Sequence, residues 1–131
     1  MSQTGGMMRP VIIVGVIVLV AAMATAFWLF RPNSNAGDTS KLNRSFTPAE
    51  QQLLDTVHIT AGELATATCE AEQRCWIAVN KVVYDVSGVP SWAKGTHHGV
   101  KPGHDVTDSF VKSGHPLSTL QKLPVVGSLE A

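Results

Sequence analysis

Apolar and polar positions divide the chain into stretches of different character. Residues 11–30 read VIIVGVIVLVAAMATAFWLF, without a charge, between Arg9-Pro10 and Arg31-Pro32. As a helix this run rises about 30 Å, the thickness of a bilayer core. Trp28 and Phe30 fall near one end, where aromatic side chains favour the membrane interface. The pattern predicts a transmembrane anchor over 11–30 behind an N-terminal tail, 1–10. A cleaved signal peptide is the rival reading, since Ala22-Met23-Ala24 and Ala24-Thr25-Ala26 have a small-x-small form. The apolar run continues through Phe27-Trp28-Leu29-Phe30, which favours the uncleaved anchor.

Residues 31–45 are polar and rich in Ser, Asn and Gly, and predict a flexible linker. A folded domain is expected over 46–131. Thr47-Pro48-Ala49-Glu50 carries an N-cap, a first-turn proline and the glutamate of a capping box, so a helix is predicted to about Leu54. Thr60-Ala61-Gly62-Glu63 repeats the signature and opens a second helix through about Ala67.

Residues 75–87, CWIAVNKVVYDVS, alternate in the period of a strand. Ile77 and Val79 fall on one face, Trp76 and Ala78 on the other, and Val82, Tyr84 and Val86 resume the pattern after Asn80-Lys81. This predicts a hairpin, with Lys81 asked to accept a positive φ at about 1 kcal/mol. Asp105 can cap a helix bearing Val106 and Phe110, with Gly114 as its stop. Leu117 and Leu120 add another helical turn. Leu123-Pro124-Val125-Val126-Gly127 reads as a closing strand. The fold class is α+β: a small sheet with short helices framing a pocket.

Composition narrows the function. The chain has 131 residues and is 44% hydrophobic, much of it in the N-terminal run. Residues 41–131 hold eight Lys/Arg against nine Asp/Glu, so no basic stripe marks a nucleic-acid partner. Neither a nucleophile–base arrangement nor a Gly-rich phosphate loop is visible, so an enzyme is not expected. The lysines at 94, 101, 112 and 122 read as solvated.

The five histidines are the candidate chemistry, and four of them, His97, His98, His104 and His115, crowd a short stretch. His58 reads as a residue of the first strand. Three readings stand on the residues alone. The histidines could be surface loop residues. They could bind zinc, with His98 and His104, or His104 and Asp108, contributing. Or they could hold haem, which needs an imidazole on each face and an apolar slot between. Gly95-Thr96-His97-His98-Gly99 and Ser113-Gly114-His115-Pro116 bracket the 105–112 helix, and Trp92, Tyr84, Phe110, Leu117, Leu120 and Val125 are available as lining.

The order of motifs resembles the cytochrome b5 family over about residues 57–129. Cys75-Trp76-Ile77-Ala78-Val79-Asn80 through Val82-Val83-Tyr84-Asp85-Val86-Ser87 resembles its W-x-A-x-x-G-x-V-Y-D-V hairpin. Gly103-His104-Asp105-Val106-Thr107-Asp108-Ser109-Phe110 is similar to its G-x-D-A-T-x-x-F helix start. Ser113-Gly114-His115-Pro116 falls where the family's second haem histidine stands, and 123–129 looks like its closing strand. The His-Pro-Gly-Gly of animal and plant members is missing. Trp92-Ala93-Lys94-Gly95-Thr96-His97-His98-Gly99 looks instead like a shorter bacterial branch of haem- or steroid-binding proteins, with a W-x-x-G-x-H-x-G pattern. That resemblance implies His97 and His115 as the axial metal ligands, with His98 the alternative to His97. The related membrane-associated progesterone receptors lack both histidines and use a tyrosine; here Tyr84 reads as core.

The resemblance further implies a haem b cofactor, since no C-x-x-C-H is present for thioether attachment. It implies single-electron transfer to redox partner proteins. The alternatives are a haem, steroid or lipid-binding module, or the haem subunit of a larger membrane oxidoreductase. Cys69 and Cys75 have the wrong spacing for a redox or zinc C-x-x-C. In an oxidising compartment they are expected as a structural disulfide, and in the cytoplasm as two small thiols. Flanking charges lean towards a cytoplasmic C-terminus; the export-like N-terminus and the cysteine pair point outwards. The expected location is a bacterial inner membrane, with the C-terminal domain in the periplasm.

Overall fold

The computed structural model describes residues 8–29 (side chains from position 14), 32–70, 74–92 and 95–131. The expectations for the tail at 1–7, for Phe30 and for Lys94 lie outside these. The chain divides into two units, Met1–Asn33 and Ser34–Ala131. The first holds one helix, α1, Met8–Leu29, whose large apolar side chains from Val14 onward are exposed. Among the described residues, whose side chains in α1 start only at position 14, no helix is long and apolar enough to cross a membrane.

The second unit is a four-stranded sheet with short helices, its strands β1 (His58–Ile59), β2 (Trp76–Val79), β3 (Val82–Asp85) and β4 (Val125–Leu129) lying in the order β1-β4-β3-β2. Its helices begin where the capping signals fall. Thr47 and Glu50 close a full capping box at the start of α2, Pro48–Thr56, and Thr60 and Glu63 close another on α3, Ala61–Thr66. Strands β2, Trp76–Val79, and β3, Val82–Asp85, form the hairpin. Asn80 and Lys81 take φ of 49° and 65°, the doubly left-handed turn whose twist matches the flanking strands.

The closing strand is β4, Val125–Leu129, further along than the pattern suggests. It lies inside the sheet, antiparallel to β3 and parallel to the short β1, His58–Ile59. Gly127 makes that position possible. A Cβ there would sit 2.4 Å from the Val57 carbonyl oxygen, and Ser128 N donates to the same oxygen at 2.9 Å.

Each face of the sheet has its own core. Ile77, Val79, Val82, Tyr84 and Val86 pack with Trp92, Val106, Phe110, Leu120 and Val125. Ile59, Leu64, Ala78 and Val83 pack on the other side, with Trp76 partly buried beside them. The alternation read along the hairpin therefore separates the two cores correctly. Helix α4, Thr107–Lys112, starts later than an Asp105 cap would place it; Asp105 accepts from Thr107 N as a local turn instead. Helix α5, Leu117–Gln121, follows. Cys69 and Cys75 are joined as a disulfide.

The flexible linker needs correcting. Residues 34–46 pack on the domain, with a 3-10 turn at Thr39–Leu42, and Lys41 is only 2% exposed. Its Nζ donates to the carbonyls of Phe110, Val111 and Ser113. Polar composition suggested a tether, but these polar groups find backbone partners at the end of α4.

Candidate functional site

A cavity of about 470 Å³ opens on the first core. Val79 and Ile77 of β2 reach it because alternate residues of a strand share one face. Val106, Phe110 and Leu120 are supplied by the segment that forms α4 and α5. Trp92, Val89, Val100 and Leu123 complete an apolar lining. Besides His97, His98 and His115, polar groups are few: Ser91, Ser109, Lys112, Ser113 and Thr119.

His97 and His115 meet across this cavity. His97 stands at the start of a two-residue turn, where His97 N donates to Val100 O (2.8 Å) and Val100 N to His97 O (2.9 Å). His98 and Gly99 fill the turn with φ of 49° and 78°. That geometry separates the adjacent histidines. His97 is drawn inward beside Trp92, with ring centroids 5.0 Å apart, while His98 is exposed and sets its ring edge-on to His97 at 4.5 Å. His115 follows α4 on a loop closed by Ser113, whose Oγ donates to Phe110 O (2.7 Å) and accepts from His115 N (3.3 Å).

The two imidazoles are 5.7 Å apart at their centroids with planes 28° apart, yet only 3.5 Å apart at Nε2. They therefore point head to head. Burial, then the neighbouring His98 and His115, holds the pKa of His97 below its usual value; a backbone hydrogen bond at Ser91 opposes them. Donation from Nδ1 to the Ser91 backbone would leave the Nε2 lone pair free for the cavity.

Of the expected lining residues, Trp92, Phe110 and Leu120 face the cavity. Leu117 and Val125 do not: Val125 is paired with Tyr84 within the core, and Leu117 opens α5 half-buried. Tyr84 is core, as read. The valines at 79, 89, 100 and 106, Ile77 and Leu123 were missed as lining. The strand period of β2 was the signal for Ile77 and Val79. His58 is exposed and bonded through Nδ1 to Ser128 Oγ, and His104 is exposed beside Pro102 O. Among the described residues no group of three or more His, Cys, Asp or Glu side chains could hold a metal, so the suggested zinc sets do not assemble.

The family model of the cytochrome b5-like haem/steroid-binding domain matches residues 60–130. The chain belongs to this family. Two solved cytochrome b5 domain proteins are similar to it. That of Hadesarchaea YNP_N21 is 35% identical with a TM-score of 0.52, over 56% of this chain and 97% of its own. That of Methanococcoides burtonii is 32% identical with a TM-score of 0.53, over 57% of this chain and 99% of its own. No curated protein matches the chain. The matched segment thus holds β2 to β4, α3 to α5 and both facing histidines. Residues 34–59, with Lys41, α2 and β1, lie ahead of it.

The site fits an iron porphyrin. Imidazole–metal bonds of about 2 Å on opposite faces place the two nitrogens about 4 Å apart, close to the separation here. The apolar walls suit a porphyrin ring, and Lys112 with its neighbouring hydroxyls suits carboxylates at its edge.

Proposed function

We propose that this protein is a membrane-tethered b-type cytochrome and an electron carrier, not an enzyme. Haem would be held between His97 and His115 and supply a single-electron iron couple. The head-to-head approach of the two Nε2 atoms carries this reading. Held by both His97 and His115, the iron would serve electron transfer rather than substrate binding. The chain's own work is then to hold two neutral imidazoles, keep water from the ring with its apolar walls, and set the potential through burial and the Ser91 bond. Attachment is non-covalent, since the sequence offers no C-x-x-C-H. Redox partners are other proteins, met transiently at the cavity mouth.

The proposed tether is the uncharged run 11–30 between Arg9 and Arg31. As a helix, 20 residues would rise about 30 Å, the thickness of a bilayer core. The bonded cysteines favour an oxidising side, the periplasm of a bacterial inner membrane.

The test is the absorption spectrum of the full chain, supplied with haem in detergent micelles. Sharp α and β bands on reduction are expected, with no new band when carbon monoxide is added. A protein that folds but stays colourless overturns the cytochrome reading and favours a steroid or lipid cargo.

A further inference from the structure

Residues 34–46 converge on the segment that leads to His115. Gly37 N donates to Val111 O at 2.8 Å. Lys41 Nζ donates to Phe110 O at 2.8 Å, Val111 O at 3.1 Å and Ser113 O at 2.9 Å, using all three protons. Asn35 Nδ2 donates to Gly114 O at 3.2 Å. On the far side of His115, an Arg44 guanidinium NH donates to Leu120 O at 3.0 Å. The turn is itself fastened to the hairpin, since Asn80 Nδ2 donates to Leu42 O at 3.3 Å.

Val111 O lies in the last turn of α4 and Ser113 O and Gly114 O just beyond it, while Phe110 O also accepts from Ser113 N and Ser113 Oγ. A helix ends with carbonyls that have no partner inside it, and a cation there also meets the negative end of the helix dipole. Gly114 supplies no left-handed glycine cap: it is absent from the positive-φ glycines. The helix is capped from outside by a lysine 69 positions earlier in the chain. Lys41 is the only buried polar or charged residue among those described. Its Nζ also lies 4.7 Å from the centroid of the Phe110 ring, which lines the cavity.

We propose that Lys41 is a positioning residue for the haem site, and that the strap 34–46 holds the His115 loop in register with His97. This rests on the reading of His115 as an axial ligand. Lys41 touches neither the cavity nor His115; it fixes the carbonyls of 110–113, and the loop bearing His115 follows. The strap lies ahead of the family-matched segment.

The test compares the full chain with Lys41→Met, which keeps the stem and removes the three donors, with Asn35→Ala, a milder cut, and with Lys122→Met at an exposed lysine. Transfer of haem to apomyoglobin and the ferric spectrum are recorded. Amide hydrogen exchange is followed in the haem-free protein. Lys41→Met is expected to lose haem about tenfold faster and to show a high-spin fraction from His115 release. Asn35→Ala is expected to move the same way by about twofold, and Lys122→Met not at all. Exchange is expected to rise in Lys41→Met at 110–116, with the sheet unchanged. A folded Lys41→Met protein with parental haem loss, spectrum and exchange overturns the proposal. So does a uniform rise in exchange with an unaltered spectrum, which is what a general loss of stability would produce. Should Lys41→Met fail to fold, unchanged haem loss in Asn35→Ala overturns it. Should the parent take up no haem, the cytochrome reading falls, and exchange at 110–116 alone decides whether the strap holds that loop.

Discussion

His97 and His115 aim their Nε2 atoms at each other from 3.5 Å, although 18 positions and the whole of α4 separate them in the chain. Neither ring reaches this geometry by itself. The turn through His98 and Gly99 brings in the first, and the Ser113 loop brings in the second.

The first prediction separates the adjacent histidines. His97→Ala and His115→Ala are each expected to weaken haem binding by more than about 100-fold and to abolish the low-spin spectrum. His98→Ala should keep both, since the left-handed turn leaves that ring exposed. A titration of haem into the three variants is the check; equal losses at His97 and His98 would contradict the assignment.

The hairpin turn carries strain that can be removed. Lys81 holds φ at 65°, where a Cβ is unfavourable. Lys81→Gly creates Asn-Gly, the preferred pair for this turn, and is expected to stabilise the domain by about 0.5–1 kcal/mol. Urea unfolding would show the midpoint moving upward.

Gly127→Ala should do the opposite. Its Cβ would press on the Val57 carbonyl oxygen and on the Val57 side chain at 2.9 Å, and the clash falls on backbone between β4 and the segment entering β1. A loss of at least about 1–3 kcal/mol is expected, read as a lower urea midpoint. A neutral result would mean that β4 does not lie so close to Val57.

Acid should act through the two capping boxes. Glu50 and Glu63 have their pKa values lowered from 4.5, chiefly by the backbone N–H groups of Thr47 and Thr60. A depressed carboxylate contributes stability in full above its unfolded pKa, and that contribution is lost as pH falls through the folded value. Stability from these caps should therefore hold down to about pH 4.5 and decline below it. Glu50→Gln and Glu63→Gln should each flatten the decline when unfolding is followed between pH 6 and pH 3 in a buffer series.

Local chemistry made part of this structure readable. Thr47 and Glu50, and Thr60 and Glu63, lie three apart and satisfy each other's backbone, so both helix starts were visible as text. The hairpin was visible because its two faces alternate. Long-range partners were not. Lys41 sits in a run of Asn, Ser and Gly that looks solvated, and the carbonyls that accept its protons lie some 70 positions away. Val125 was apolar and near the histidines in sequence, but pairing with Tyr84 took it into the core and off the cavity wall. His97 could be chosen over His98 only through family likeness, because adjacency alone does not say which ring a left-handed turn expels.

The packed strap also sets where a protease could free the domain intact. Pro32 and Asn33 are exposed and precede the folded unit, so a cut beside them would release a globule with its buried ammonium in place. A cut at the family boundary near Thr60 would instead strip Lys41 from beneath α4 and leave the carbonyls of Val111 and Ser113 to water. A proteolytic fragment that keeps the 110–114 segment fastened should therefore begin ahead of Asn35.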